Sequence, residues 1–361
     1  MIGWNAFVLL AAVNLAPAPA APPPTPEQIM AIPPALQQQV QQEVVHGASS
    51  PEQRLQRLVD LVFQPDGRGL QYDTTATLSV ADAWAQRRAN CLSFSLLFVA
   101  LAREAGLEAR MQEVGQVMTW YEEQGLIYNA GHVNVGLRVQ GRHGTLDLDQ
   151  NVIYDRRGPR AINDQRALAH FYNNRGAELL AALDHGSARA HFDMALRMDP
   201  RFAPAWNNLG VLETRSGNPA AAARAFDSAL TIAPTLPSAL SNASALYAQV
   251  GDTARATQLN ERLEQTRRRD PFHQFMRGMA AERDADYTQA VQHYQRAVQL
   301  YDKAHQFHFG LARAYFLSGD NRRATRELAR ARALSHTDKQ RAIYQSKLDN
   351  MHRIAARRAL H

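Results

Sequence analysis

The chain holds one cysteine, Cys91, among its 361 residues. An internal disulfide is therefore excluded, and so is a zinc site built from several cysteines. The apolar run Ala6–Val13 is well short of the roughly 20 residues that a membrane-spanning helix needs. There is no Gly-rich phosphate loop, dinucleotide fingerprint or spaced set of metal ligands, so no cofactor or metal is expected. Zinc-finger and RNP-like words are also missing, as is any basic stripe interleaved with aromatics, so nucleic acid is not an expected partner.

Net positive charge is confined to one place. The net charge is +6, but residues 321–361 carry eleven Lys/Arg against three Asp/Glu, which leaves the remainder slightly acidic. A basic tail of this kind suits an anionic surface; the plainer reading is the solvated face of a helix. The first residues lack Lys and Arg altogether, yet Ala6–Val13 followed by the alanines of 18–21 has the shape of a secretory apolar region with an Ala-x-Ala cleavage zone. The expectation is an exported protein, periplasmic or secreted, with no integral membrane segment once the leader is removed.

Length suggests two or three domains. Residues 1–24 read as leader and Ala/Pro linker, and proline and alanine dominate as far as residue 33, so 17–33 is expected to be mostly linker. From Pro34 to Phe63 the pattern is helical and is broken at Gly47–Pro51, with Ser50 and Pro51 as a cap and first-turn pair. Residues 75–88 read as a helix capped by Thr75 or Ser79. Residues 90–106 form one apolar helix closed by a C-terminal glycine, Gly106. Leu107–Val117 suggests a strand. His132–Val139 and Thr145–Ile153 alternate with a period of two around Gly141–Gly144, which predicts a β-hairpin with His143 in its turn.

Beyond residue 165 strand signals vanish. Gly176, Ala188, Phe192, Ala195 and Pro200 recur as Gly210, Ala222, Phe226, Ala229 and Pro234, every offset being 34 residues. Trp206 and Leu209 complete the second unit in the tetratricopeptide (TPR) pattern. Weaker units follow, giving about five: 169–202, 203–236, 237–270, 271–304 and 305–338, then a basic capping helix over 339–361. Each unit is a helical hairpin that cannot bury its apolar face alone, so the small residues set close approach and the aromatics fill the gaps. These residues are structural. A protein or peptide bound on the concave face is the expected partner.

The chemistry-bearing residues lie in the preceding segment, 25–165. Cys91 opens a helix, where the positive end of the helix dipole favours a thiolate. His132 opens a strand, and Asp147 lies on the return strand of the same hairpin, where pairing brings imidazole and carboxylate together. Asp149, two residues on, shares the strand face of Asp147 and is the alternative partner. Asn90 or Gln86 is a candidate second oxyanion donor beside the Cys91 backbone N–H. Trp84, seven residues before Cys91, either walls a cleft or packs in the core, and Trp120 and Tyr121 are candidate groove residues.

Several words in this segment resemble the transglutaminase-like (papain-like) superfamily. They are Arg88-Ala-Asn-Cys91 with its helix, Gly106-Leu-Glu-Ala-Arg110, Gly131-His-Val-Asn-Val135 and Gly141-Arg-His-Gly-Thr-Leu-Asp147, with Leu70-Gln-Tyr72 upstream. The family's Trp after the histidine is missing, since Val133 and Asn134 follow, and Leu148-Asp149 stands after the aspartate where the family has Pro-Thr. The resemblance covers about residues 55–153. It implies an α+β transglutaminase-like domain ahead of an all-α TPR solenoid, with Cys91 as nucleophile, His132 as general base and acid, and Asp147 as the orienting acid. The implied activity is that of a cysteine hydrolase, a peptidase or amidase working through a thioester. Acyl transfer to amines and a non-catalytic binding scaffold are the competing readings.

Overall fold

The computed structural model describes residues 22–63, 69–73, 77–114, 117–118, 132–148, 153–154, 158–335 and 337–359. The expected linker is partly helical. Thr25 and Gln28 form a reciprocal capping box that starts α1 (Pro26–Met30), with Pro26 in the first turn where its missing N–H costs nothing. The proline-rich composition read as linker because it hid this cap. Helix α2 (Pro34–Gln39) continues as a π-helical turn over Val40–Val45, and α3 spans Pro51–Phe63.

Strand β1 (Gln71–Tyr72) pairs in parallel with β2 (Arg88–Ala89), and between them lies α4 (Val80–Gln86), capped by Ser79. The helix is thus shorter than its expected span, and residues 74–76, Thr75 included, lie outside the described residues. Helix α5 (Cys91–Glu104) is the centre of this half: every residue from Leu92 to Ala102 is buried. Each of its buried Leu, Val and Phe side chains contributes about 1.5–3 kcal/mol. Its two buried serines do not interrupt it, because Ser93 Oγ accepts from the Leu78 N–H and Ser95 Oγ donates to the Cys91 carbonyl.

Against α5 lies an antiparallel sheet in the order β6-β5-β3-β8, made of β3 (Glu108–Val114), β5 (His132–Val139), β6 (Arg142–Leu146) and β8 (Arg160–Ala161). Between them in sequence, β4 (Val117–Met118) and β7 (Ile153–Tyr154) pair with each other. The β5–β6 turn is tighter than the pattern suggested. Gln140 and Gly141 both have positive φ, at 48° and 76°, as a two-residue type I′ connection requires. Arg142 already pairs with Val139, and His143 is an exposed strand residue opposite Arg138 instead of a turn residue.

The second half consists of five helical hairpins and a last helix: α6 (Asp164–Ala181) with α7 (His185–Met198), α8 (Ala203–Arg215) with α9 (Pro219–Ile232), α10 (Pro237–Gln249) with α11 (Thr253–Arg268), α12 (Pro271–Arg283) with α13 (Tyr287–Leu300), α14 (His305–Leu317) with α15 (Asn321–Leu334), then α16 (Asp338–Ala359). The glycine–aromatic periodicity has a direct cause. A Cβ placed on Gly176, Gly210 or Gly278 would stand 2.5–2.6 Å from the ring of Phe192, Phe226 or Tyr294 in the same hairpin. The second helix begins at a recurring polar cap, with Asp184, Asp252, Asp286 and Asp320 each accepting a backbone N–H and Asn218 standing at the same place in the second hairpin. First helix touches first helix from α6 to α8 to α10 and from α12 to α14, and the amides of Asn173, Asn208, Asn207 and Asn242 bond from α6 to α8 to α10. The two halves share one core: Ala167, Phe171 and Tyr172 of α6 pack with the buried residues of α5 and the sheet.

Candidate active site

The start of α5 is built by its cap. Asn90 is extended, and its Oδ1 accepts from the Ser93 N–H at 2.8 Å while its Nδ2 donates to Thr77 Oγ1 at 3.1 Å. Asn90 is therefore committed to holding the helix end rather than offered as an oxyanion donor. Gln86 Oε1 accepts from Arg88, which leaves the Nε2 donor that an oxyanion would need outside that bond. Cys91 is the first helical residue, so its own N–H has no partner within the helix and is placed to meet an oxyanion. Its thiol is partly exposed.

Helix α5 packs on β5, with Ser95 Oγ, whose proton goes to the Cys91 carbonyl at 2.7 Å, lying 3.5 Å from the Val133 carbonyl. His132 precedes that residue and pairs with Val114 of β3. Its ring is buried, and Nε2 lies 2.6 Å from Asp147 Oδ2. The ladder explains the reach. Val135 is opposite Leu146, so Asp147 follows opposite Asn134, diagonal to His132 on the same face. Asn134, buried and on the face of His132, donates its Nδ2 to the same Asp147 oxygen at 3.2 Å. The structure thus brings Cys91, His132 and Asp147 together. Asp149, the alternative, lies outside the described residues, as do Trp120 and Tyr121. Trp84 is partly buried against the core, with the Arg87 guanidinium 3.6 Å over its ring.

Burial works against a charge on His132. Hydrogen bonds with Asp147 and with Cys91, and the attraction of both groups, outweigh it and push its pKa up to about 10. With Nε2 engaged by the carboxylate, Nδ1 is the ring nitrogen left for the thiol. A thiol at a helix N-terminus beside a held imidazolium has the surroundings of an activated nucleophile. Sequence reasoning passed over Asn134 as a mere departure from the family word, although its spacing of two from His132 already placed it on the same face. Among the described residues no group of three or more His, Cys, Asp or Glu side chains is arranged to hold a metal ion, and no helix is long and apolar enough to cross a membrane.

Comparison with known proteins agrees with this division. The family model of the transglutaminase-like superfamily matches residues 38–139, and that of the tetratricopeptide repeat matches residues 173–237, 243–305 and 275–337. No curated protein matches the chain. Among solved structures, MamA is similar at 15% identity over 49% of this chain and 95% of its own, with a TM-score of 0.26. YrrB, described as a TPR protein with an unusual peptide-binding site, gives 17% identity over 50% and 92%, with a TM-score of 0.26. PilF of Pseudomonas aeruginosa gives 14% over 53% and 87%, with a TM-score of 0.30. The repeats rest on the family match and on the hairpins themselves.

Proposed function

We propose that this chain, which joins a transglutaminase-like domain to TPR repeats, is a cysteine hydrolase that cleaves an amide bond through a thioester. The observation that carries the reading is the His132 ring held at 2.6 Å by Asp147, with Cys91 close enough to help raise its pKa. The Cys91 thiolate attacks the amide carbonyl carbon. The C–N bond breaks as the His132 imidazolium gives its proton to the departing nitrogen, leaving a thioester and a neutral imidazole. The imidazole then takes a proton from water, the water oxygen attacks the thioester, and the C–S bond breaks to release the acid and restore the pair. Asp147 keeps the ring oriented throughout, with Asn134 fixing the carboxylate.

The repeats recruit the substrate in this reading. The first helices of the first three hairpins lie against one another along a row of side-chain amides, and a face of such repeats suits a polypeptide chain. The leader-like N-terminus adds an exported setting, periplasmic or secreted, to the proposal. An activated acyl ester such as p-nitrophenyl acetate supplies the test. The intact protein is expected to release a burst of nitrophenol and to carry the acetyl group on Cys91 after acid quench, detected by mass spectrometry. His132→Ala is expected to lower the burst rate by about 10²-fold or more. Acetylation elsewhere than Cys91, or an equal burst in His132→Ala, contradicts the reading and favours a binding scaffold. Transfer of the acetyl group to an added labelled amine in preference to water would place the chemistry in acyl transfer instead.

A further inference from the structure

Helix α6 belongs to the first repeat, yet it grips both sides of the site. On one side, Glu178 Oε1 accepts the Thr77 N–H at 2.9 Å. Thr77 is buried, so without that carboxylate its N–H would have no partner and the segment would have to move. The same threonine accepts from Asn90 through Oγ1, and Asn90 caps α5 one residue before Cys91. The next residue, Leu78, donates its N–H to Ser93 Oγ at 2.7 Å. Residues 77 and 78 are therefore clamped between the repeat helix and the first turn of the nucleophile's helix.

On the other side, Arg166 and His170 of α6 both bond Glu113 Oε1 at 2.6 Å. Glu113 pairs with Val133, and its neighbour Val114 pairs with His132. Although burial opposes ionisation, the bonds to His170 and Arg166 hold the Glu113 carboxyl down to about 2, so this anchor is ionised at neutral pH. One helix thereby fixes the beginning of α5 and the beginning of β5, the two elements that present Cys91 and His132.

From these contacts we infer that Glu178 is a positioning residue for Cys91, and that the first repeat is a component of the reacting centre instead of a tethered binding module. This rests on Cys91 being the nucleophile proposed above. Glu178 acts as an acceptor for one N–H, so Glu178→Gln, which keeps an oxygen there, serves as the rescue. Arg175→Ala removes the other partner of Glu178, held at 2.5 Å, without touching Thr77, and serves as the control.

Two measurements on the full chain test this. The first is amide exchange of the peptide covering residues 77–93. The second is alkylation of Cys91 by iodoacetamide as a function of pH. Glu178→Ala is expected to speed exchange in that peptide at least about tenfold. It is also expected to slow alkylation at least about fivefold near neutrality and displace its pH profile. Glu178→Gln and Arg175→Ala are expected to stay near the parent in both. Glu178→Ala combined with Thr77→Val is expected to cost less than the product of the two single effects, because both break one relay.

Unchanged exchange in Glu178→Ala overturns the relay. Faster exchange with parental alkylation makes Glu178 a structural residue and overturns the positioning role. Glu178→Gln as impaired as Glu178→Ala overturns it too. Alkylation of the parent no faster than in the unfolded chain removes the nucleophile itself, and with it both this inference and the function from which it starts.

Discussion

At the scale of the residue, the chemistry turns on which carboxylate His132 uses. Fifteen residues separate His132 from Asp147, and the hairpin register makes them diagonal neighbours on one face. The consequence is a histidine that stays charged far above its ordinary range. Burial resists that charge, and Asp147 and Cys91 overcome it. In the unfolded chain the group titrates near 6.5, and in the fold near 10. Its contribution to stability is therefore complete below 6.5 and is lost as the pH rises through about 10. Asp147→Asn should bring the His132 titration down toward 6.5, read from the imidazole nitrogen shifts by NMR. An unmoved titration would show that Asp147 is not the partner. A period of two puts Asp147 and Asp149 on one face and does not choose between them; the family word pointed to Asp147, and it is Asp147 whose carboxylate lies 2.6 Å from the ring.

At the scale of the element, the repeats were readable because packing writes itself into spacing. Gly210 lies against the ring of Phe226, and a Cβ there would stand 2.5 Å from it. Gly210→Ala should therefore destabilise the protein by about 1–3 kcal/mol in denaturant unfolding, although alanine is the better helix former. An unchanged midpoint would mean that the ring moves aside freely. The capping residues Asp184, Asn218, Asp252, Asp286 and Asp320 carry the same 34-residue signal and went unused in the sequence reading. Other elements were harder to read. Helix α1 lies in a proline-rich stretch whose capping box is a matter of two local bonds, Thr25 to Gln28 and back. The β5–β6 turn fell one residue earlier than the glycines implied, because Gln140 takes a positive φ that sequence normally reserves for glycine or asparagine.

At the scale of the whole molecule, the order of the two halves was legible and their union was not. Composition and periodicity change near residue 165, which suggests two independent domains. The contact between Thr77 and Glu178 spans 101 residues and that between Glu113 and His170 spans 57, and no local pattern announces either. They make the first repeat helix a wall of the α+β domain, with a core that runs through both. Because Cys91 is the only thiol in the chain, any thiol-directed signal from the whole molecule belongs to it. The most direct test of the account is thus the rate of iodoacetamide alkylation at pH 6, in the native protein, in the unfolded chain and in His132→Ala. Native Cys91 is expected to react at least about tenfold faster than the unfolded thiol, and His132→Ala is expected to abolish the advantage. Native alkylation slower than in the unfolded chain, and unaffected by the loss of His132, would contradict it.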